Sequence, residues 1–100
     1  MAKLVRDRVP QLLLDQGKDP HIRFAGDDEY WKMLKDKLSE EVDEFKGAGT
    51  PDKQKDELAD LLEAVDAVMK FKCWKKMDIE AVKSSKAFER GKFEKRIILE

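Results

Sequence analysis

The stretch LSEEVDEFKGAGTPDKQKDELADLLEAV, residues 38–65, contains two amphipathic segments separated by the short break GAGTP. Thr50 is a good helix N-cap and Pro51 a good first helical residue, because proline lacks the backbone donor that would be unpaired there. A connection this short predicts an antiparallel helical hairpin. Apolar residues recur every three or four positions on both sides of the break, the spacing of one buried helical stripe: Trp31, Leu34, Leu38, Val42 and Phe45 before it, and Leu58, Leu61, Leu62, Val65, Val68 and Met69 after it.

Further helices are expected on both sides of the hairpin. A short one is predicted over residues 9–16, and the first long helix opens with Asp27 or Asp28 as its N-cap. The last helix begins with Asp78 as its N-cap and ends near Gly91, a natural C-terminal glycine. The expected fold class is therefore all-α, a helical bundle.

Two short segments lie outside the expected helices. HIRFA (residues 21–25) and the tail KFEKRIILE (residues 92–100) alternate loosely between apolar and polar residues. A short β pairing between these two segments is therefore an additional expectation.

The apolar stripes of the hairpin cannot both be covered by the hairpin alone. Two long amphipathic faces in a chain of 100 residues favour a bundle that a second subunit completes. We therefore expect a homo-oligomer, either a dimer or a tetramer.

Length and charge limit the classes of function. One hundred residues suffice for a single domain, taken to span residues 1–100. The 21 Lys and Arg nearly cancel the 22 Asp and Glu, so a net charge of −1 gives no reason to expect nucleic acid or an anionic membrane as a partner. No apolar run approaches the roughly 20 residues that cross a bilayer. The N-terminal MAKLVRDRVP lacks the apolar core of a signal peptide, which favours the cytoplasm.

Acidic residues on the two long helices are expected to converge. A rotation of about 100° per residue places Glu41 just off the edge of the first stripe and Glu44 further round the same flank. On the second helix, Glu57 and Asp60 occupy the flank of the same rotational sense. The two-fold relation of an antiparallel pair brings both flanks to one side of the hairpin. Glu40 falls almost opposite the stripe.

Two interpretations are open for these acids. Highly charged helices often carry solvated acidic faces, and a single E-x-x-E pair commonly arises by chance. Two pairs at matched heights beside an apolar seam would repel strongly, and a hard divalent cation among them would relieve that repulsion. Because the set offers only oxygen ligands, Mg²⁺ is the expected ion and Mn²⁺ a substitute. Its ligands would be Glu41, Glu44, Glu57 and Asp60.

The acidic motifs resemble those of a known family. KLSEEVDEF and KDELADLLEAV carry the pattern E-E-x-x-E followed by E-x-x-D, which is similar to the signature of the all-α nucleoside triphosphate pyrophosphohydrolases of the MazG type. KLVRDRVPQLL at the start and ERGKFEKRIILE at the end resemble a small stand-alone subgroup of that family. The subgroup's tail often reads R-G-G-F, and this chain departs from it with Lys92 in place of the second glycine.

The resemblance implies a MazG-like bundle that hydrolyses a nucleoside triphosphate between its α and β phosphates, giving the monophosphate and pyrophosphate. House-cleaning of non-standard nucleotides is one use of such an activity. Mg²⁺ on the four carboxylates would neutralise phosphate oxygens and lower the pKa of a bound water. We expect Glu41, nearest the seam, to position that water. Glu40 is the second catalytic candidate, with a role in orienting a basic residue or meeting the partner subunit.

Phosphates need cations beyond the metal, and the chain offers them near both ends. The segment 83–96 has six basic residues against two acids, and a solvated basic face is its simplest interpretation. As a substrate clamp, the same segment would use Lys86, Arg90, Lys92 and Arg96. Near the N-terminus, Lys3 and Arg6 lie in the subgroup's motif and are further candidates, with Asp7 holding Arg6.

Two other functions are open at this point. Phosphoribosyl-ATP hydrolysis in histidine biosynthesis would use the same metal chemistry on a different substrate. A non-catalytic helical scaffold or regulatory protein would carry the acidic face without a metal.

Overall fold

The computed structural model describes residues 2–100, which form four α-helices: α1 (Val9–Asp15), α2 (Asp27–Gly47), α3 (Pro51–Phe71) and α4 (Lys76–Arg90). The all-α expectation is confirmed. The chain divides into two compact units, Met1–Val68 and Met69–Glu100. The first contains α1, α2 and most of α3, and the second contains α4 and the C-terminal tail. That the chain is a single functional domain stays a prediction.

Helices α2 and α3 form the hairpin of the first unit. Only three residues separate Gly47 from Pro51, and the Gln54 side chain donates a hydrogen bond of 3.2 Å to the carbonyl of Ala48 across the connection. Leu34 and Ala64, the two buried hydrophobic residues among residues 2–100, each lie 13 positions from the connecting ends of their helices. This equal spacing places the core at one level between antiparallel helices.

Helix α3 begins as its sequence predicts. The Thr50 hydroxyl accepts a hydrogen bond of 3.2 Å from the backbone N–H of Lys53, and Pro51 is the first helical residue. At the start of α2 the prediction is wrong, since Gly26 is the N-cap and Asp27 is already helical. Asp27 and Asp28 lie in the first turn, where their negative charges interact favourably with the positive end of the helix dipole.

Helix α4 begins three residues earlier than expected. Its N-cap is Lys75, and Asp78 occupies the third helical position, where its carboxylate accepts a hydrogen bond of 3.0 Å from the backbone N–H of Lys75. Asp78 thus stabilises the helix start from inside the first turn. The predicted end is confirmed, because Gly91 follows Arg90 with φ of 80°, a left-handed conformation that favours glycine.

The expected β pairing is wrong: residues 2–100 contain no strand. In the tail, the backbone N–H of Arg96 bonds to the carbonyl of Phe93 at 3.3 Å, and Arg96 has φ of 56°. A turn with a left-handed residue interrupts the extended backbone that a strand requires.

Burial in the hairpin is shallow. Leu34 is the only large side chain of residues 2–100 that is fully buried, at 1% exposure. Several stripe residues near the connection are partly exposed: Val42, Phe45, Leu58 and Leu62. Within the described chain, no helix combines the length and apolar character needed to cross a membrane.

Candidate metal centre

Three of the predicted carboxylates meet on one side of the hairpin. Glu41 and Glu44 project from the last turns of α2, and Glu57 projects from the second turn of α3. Each offers a carboxylate oxygen, and these three oxygens all lie within 4.8 Å of one another. We call Glu41, Glu44 and Glu57 the carboxylate triad. The i, i+3 spacing on α2 and the short connection to α3 together account for their convergence.

Two oxygens at the triad are buried without a hydrogen-bond partner in the described chain. They are Oε2 of Glu41 and Oε2 of Glu57. Glu41 is 5% exposed, and among residues 2–100 no other charged or polar residue is buried to this degree. An unpartnered carboxylate oxygen away from water is costly, which distinguishes this cluster from a solvated acidic face.

The protonation of Glu41 reflects this environment. Burial is the main cause that raises its pKa above the ordinary value of 4.5, and the neighbouring charges of Glu44 and Asp60 raise the pKa further. Lys37 acts in the opposite direction, because its hydrogen bond and positive charge favour the carboxylate form. The net result is a pKa of Glu41 above that of an exposed glutamate.

Lys37 is a functional candidate that sequence reasoning missed. Its ammonium lies 3.3 Å from Oε1 of Glu41 and 3.4 Å from Oε2 of Glu40, and its side chain is mostly buried. It therefore joins the triad to Glu40. The available signal was its spacing, since Lys37 precedes Glu40 by three positions and Glu41 by four on the same helix.

Asp60 is not a member of the triad, although its charge affects Glu41. Its Oδ1 instead accepts a hydrogen bond of 2.7 Å from the Arg6 guanidinium. The expectation that Asp7 holds Arg6 is therefore wrong. The acid that does so lies 54 positions away, on α3.

Lys3 also reaches this region. Its ammonium lies 3.7 Å from Oε1 of Glu40. Glu40, predicted to face away from the stripe and to orient a basic residue, contacts two of them, Lys3 and Lys37. The N-terminal segment thus brings Lys3 into contact with an acid of α2 and Arg6 into contact with an acid of α3.

The remaining candidates for phosphate binding belong to the second unit. Lys86 and Arg90 lie on α4, four positions apart, and both are exposed. Lys92 and Arg96 lie in the tail and line one concavity of this unit together with Phe93 and Ile97. A role for these four residues in binding substrate stays a prediction.

The donor set of the triad fits a hard divalent cation. Three carboxylates in close contact repel one another, and two of their oxygens have no hydrogen-bond partner among residues 2–100. Mg²⁺ and Mn²⁺ prefer such oxygen ligands and complete their coordination with water. The arrangement can therefore gather positive charge next to a buried carboxyl group that accepts protons.

About half of the chain is similar in sequence to a curated protein. An uncharacterized protein of Mycolicibacterium smegmatis is 54% identical to this chain over 52 residues, which is 52% of the chain and 53% of that protein. The chain thus spans about half the length of the curated relative it matches. No family model matches the chain, and no solved structure matches it.

Proposed function

We propose that the protein is a Mg²⁺-dependent nucleoside triphosphate pyrophosphohydrolase of the MazG-like type, cleaving between the α and β phosphates. The observation that carries the proposal is the pair of buried, unpartnered oxygens of Glu41 and Glu57 within the carboxylate triad. The match between the family's acidic pattern and the residues that converge supports it further. Glu41, Glu44 and Glu57 would hold the ion, with Asp60 as the fourth ligand.

Each residue of the centre has a distinct task in this proposal. When bound, Mg²⁺ supplies positive charge to phosphate oxygens and lowers the pKa of water. Glu41, the most buried acid of the triad, positions the attacking water and accepts its proton. Lys37 orients Glu41 and Glu40 through its two ion pairs. The leaving group is pyrophosphate, and the other product is a nucleoside monophosphate.

Adding Mg²⁺ to the purified protein is expected to stabilise it and to permit pyrophosphate release from a nucleoside triphosphate. A ligand that binds only the folded state at 100 times its Kd stabilises that state by about 2.7 kcal/mol. Urea unfolding with and without Mg²⁺ measures this effect, and a panel of triphosphates measures turnover. Glu44→Gln and Asp60→Asn should remove both the stabilisation and the turnover.

The matched control is Glu63→Gln, the same chemical change at an exposed position of α3, which should leave both readouts unchanged. Mg²⁺ could stabilise the protein while none of the triphosphates in the panel is hydrolysed. If phosphoribosyl-ATP is then hydrolysed, it is the substrate of the centre. A protein indifferent to Mg²⁺ in every assay would be a helical scaffold.

We also propose that a second copy of the chain completes the bundle. Val42 and Phe45 on α2 and Leu58 and Leu62 on α3 leave between about a third and just over half of their surfaces exposed. Burial of apolar area is favourable by about 25 cal/mol per Å². A two-fold partner presents the same apolar stripe in return, so each copy covers the other.

Leu62→Glu is expected to convert the assembly into monomers, because a charge on this stripe would be buried without a partner in the dimer. Light scattering during gel filtration measures the mass. Leu12→Glu is the control, since Leu12 on α1 has the same 56% exposure as Leu62 but lies outside the stripe. A wild-type protein that elutes as a monomer at high micromolar concentration would refute the dimer.

A further inference from the structure

The N-terminal segment places two cations against proposed functional acids. Arg6 contacts Asp60 on α3 at 2.7 Å, and Lys3 contacts Glu40 on α2 at 3.7 Å. Both partners belong to the acidic motifs of the hairpin, whereas the two basic residues come from a segment that precedes α1. The chain therefore supplies its own positive charge to the place where a metal ion is proposed.

Arg6 and a bound Mg²⁺ would compete for Asp60. Oδ1 of Asp60 accepts the guanidinium hydrogen bond, and Mg²⁺ requires near-ideal octahedral geometry with short bonds to oxygen. A guanidinium at 2.7 Å from the same carboxylate would also repel the ion. Loading of the centre through Asp60 thus favours displacement of Arg6.

The surroundings of Arg6 suit such a displacement. Its side chain is 58% exposed and forms one ion pair, with Asp60, among the described residues. An exposed ion pair of this kind shifts an equilibrium only about two- to fivefold. Lys37 differs in both respects, because its side chain is mostly buried and its ammonium contacts both Glu40 and Glu41. Lys37 is accordingly held by two acids, whereas Arg6 is held by one and is more exposed.

We propose that Arg6 is an exchangeable counter-cation, which neutralises Asp60 in the metal-free protein and transfers to a phosphate group when Mg²⁺ takes its place. The guanidinium suits this second partner because its planar set of donors matches phosphate oxygens. The exchange couples metal loading to phosphate binding. It rests on the proposed function, since it requires the metal centre to exist.

Two binding measurements on the full-length chain test the exchange. Calorimetric titration with Mg²⁺ alone is expected to show about two- to fivefold tighter binding in Arg6→Gln than in the wild type, because the competitor is removed. Titration of the Mg²⁺-loaded proteins with inorganic pyrophosphate is expected to show about tenfold weaker binding in Arg6→Gln, since a charge-assisted contact is lost. Arg6→Lys retains the charge and should restore much of the difference.

Arg8→Gln is the matched control, because it removes the same charge only two positions from Arg6. Unlike Arg6, Arg8 forms no ion pair among the described residues. Equal effects of both substitutions on Mg²⁺ would mean a general charge effect and would overturn the exchange. Unchanged or weaker Mg²⁺ binding in Arg6→Gln would overturn it while leaving the metal centre intact. No Mg²⁺ binding to any of the proteins would refute the centre itself and the exchange with it.

Discussion

Glu41→Gln is expected to lower the rate of pyrophosphate release by about 10²–10⁴-fold, the usual contribution of a general base. Glutamine has nearly the same shape but cannot accept a proton from water, and it is a poor ligand for Mg²⁺. Steady-state kinetics at saturating Mg²⁺ measure the loss. No other single change in the proposed centre removes both the base and a metal ligand.

The same substitution is expected to stabilise the metal-free protein at neutral pH, because a neutral side chain at this position avoids the cost of burying a charge. The raised pKa of Glu41 means that the native state holds a proton at pH values where the unfolded chain has released it. The free energy of unfolding therefore falls as pH rises from the ordinary value of 4.5 through the raised pKa. Glu41→Gln lacks this fall.

Urea unfolding with a metal chelator present, repeated across this pH range, separates the effect on stability from the effect on turnover. Asp43→Asn, at an exposed position on the same helix, should change neither. A variant that is less active but no more stable would indicate that Glu41 is adequately compensated in the metal-free protein. A variant of unchanged activity would remove Glu41 from the mechanism.

Leu34→Ala is expected to destabilise the protein by about 2–5 kcal/mol, the range for large-to-small changes at buried leucines. Leu34 is 1% exposed, and its only buried hydrophobic companion in residues 2–100 is the small Ala64. A domain of this size is commonly stable by only about 5–15 kcal/mol, so the loss is a large share of the total. Urea denaturation followed by circular dichroism measures it.

The comparison is with Leu14→Ala, which removes the same atoms from an α1 side chain that is 52% exposed. Leu14→Ala should lower the free energy of unfolding by well under half as much as Leu34→Ala. Similar losses in the two variants would place the stability of the protein elsewhere than in the core of the hairpin, for example in an interface that covers Leu14.

The helices and their convergence were readable from local patterns. The spacing of apolar residues by three or four positions predicts α2 and α3. The Thr50-Pro51 pair correctly predicts the first residue of α3. The side-by-side approach of Glu41, Glu44 and Glu57 follows from helical rotation and a short connection alone. These features depend on residues close together in the chain, where backbone geometry leaves few alternatives.

The errors arose where local signals compete. Asp27 and Asp78 are both good N-caps by type, yet Gly26 and Lys75 occupy those positions and the two acids lie within the first turn. An acid in the first turn also interacts favourably with the helix dipole, so residue type alone does not distinguish the two positions. The weak alternation of the tail was overridden by the turn at Arg96.

Residue pattern alone thus predicts the all-helical hairpin and the side of it on which acids gather. Tertiary structure decides which acid loses its water and which cation each acid meets. Arg6 and Asp60 are separated by 54 positions, and nothing in the periodicity of either segment encodes their contact. Burial of Glu41 likewise depends on everything packed around it, because desolvation is a property of the assembled neighbourhood and not of the residue.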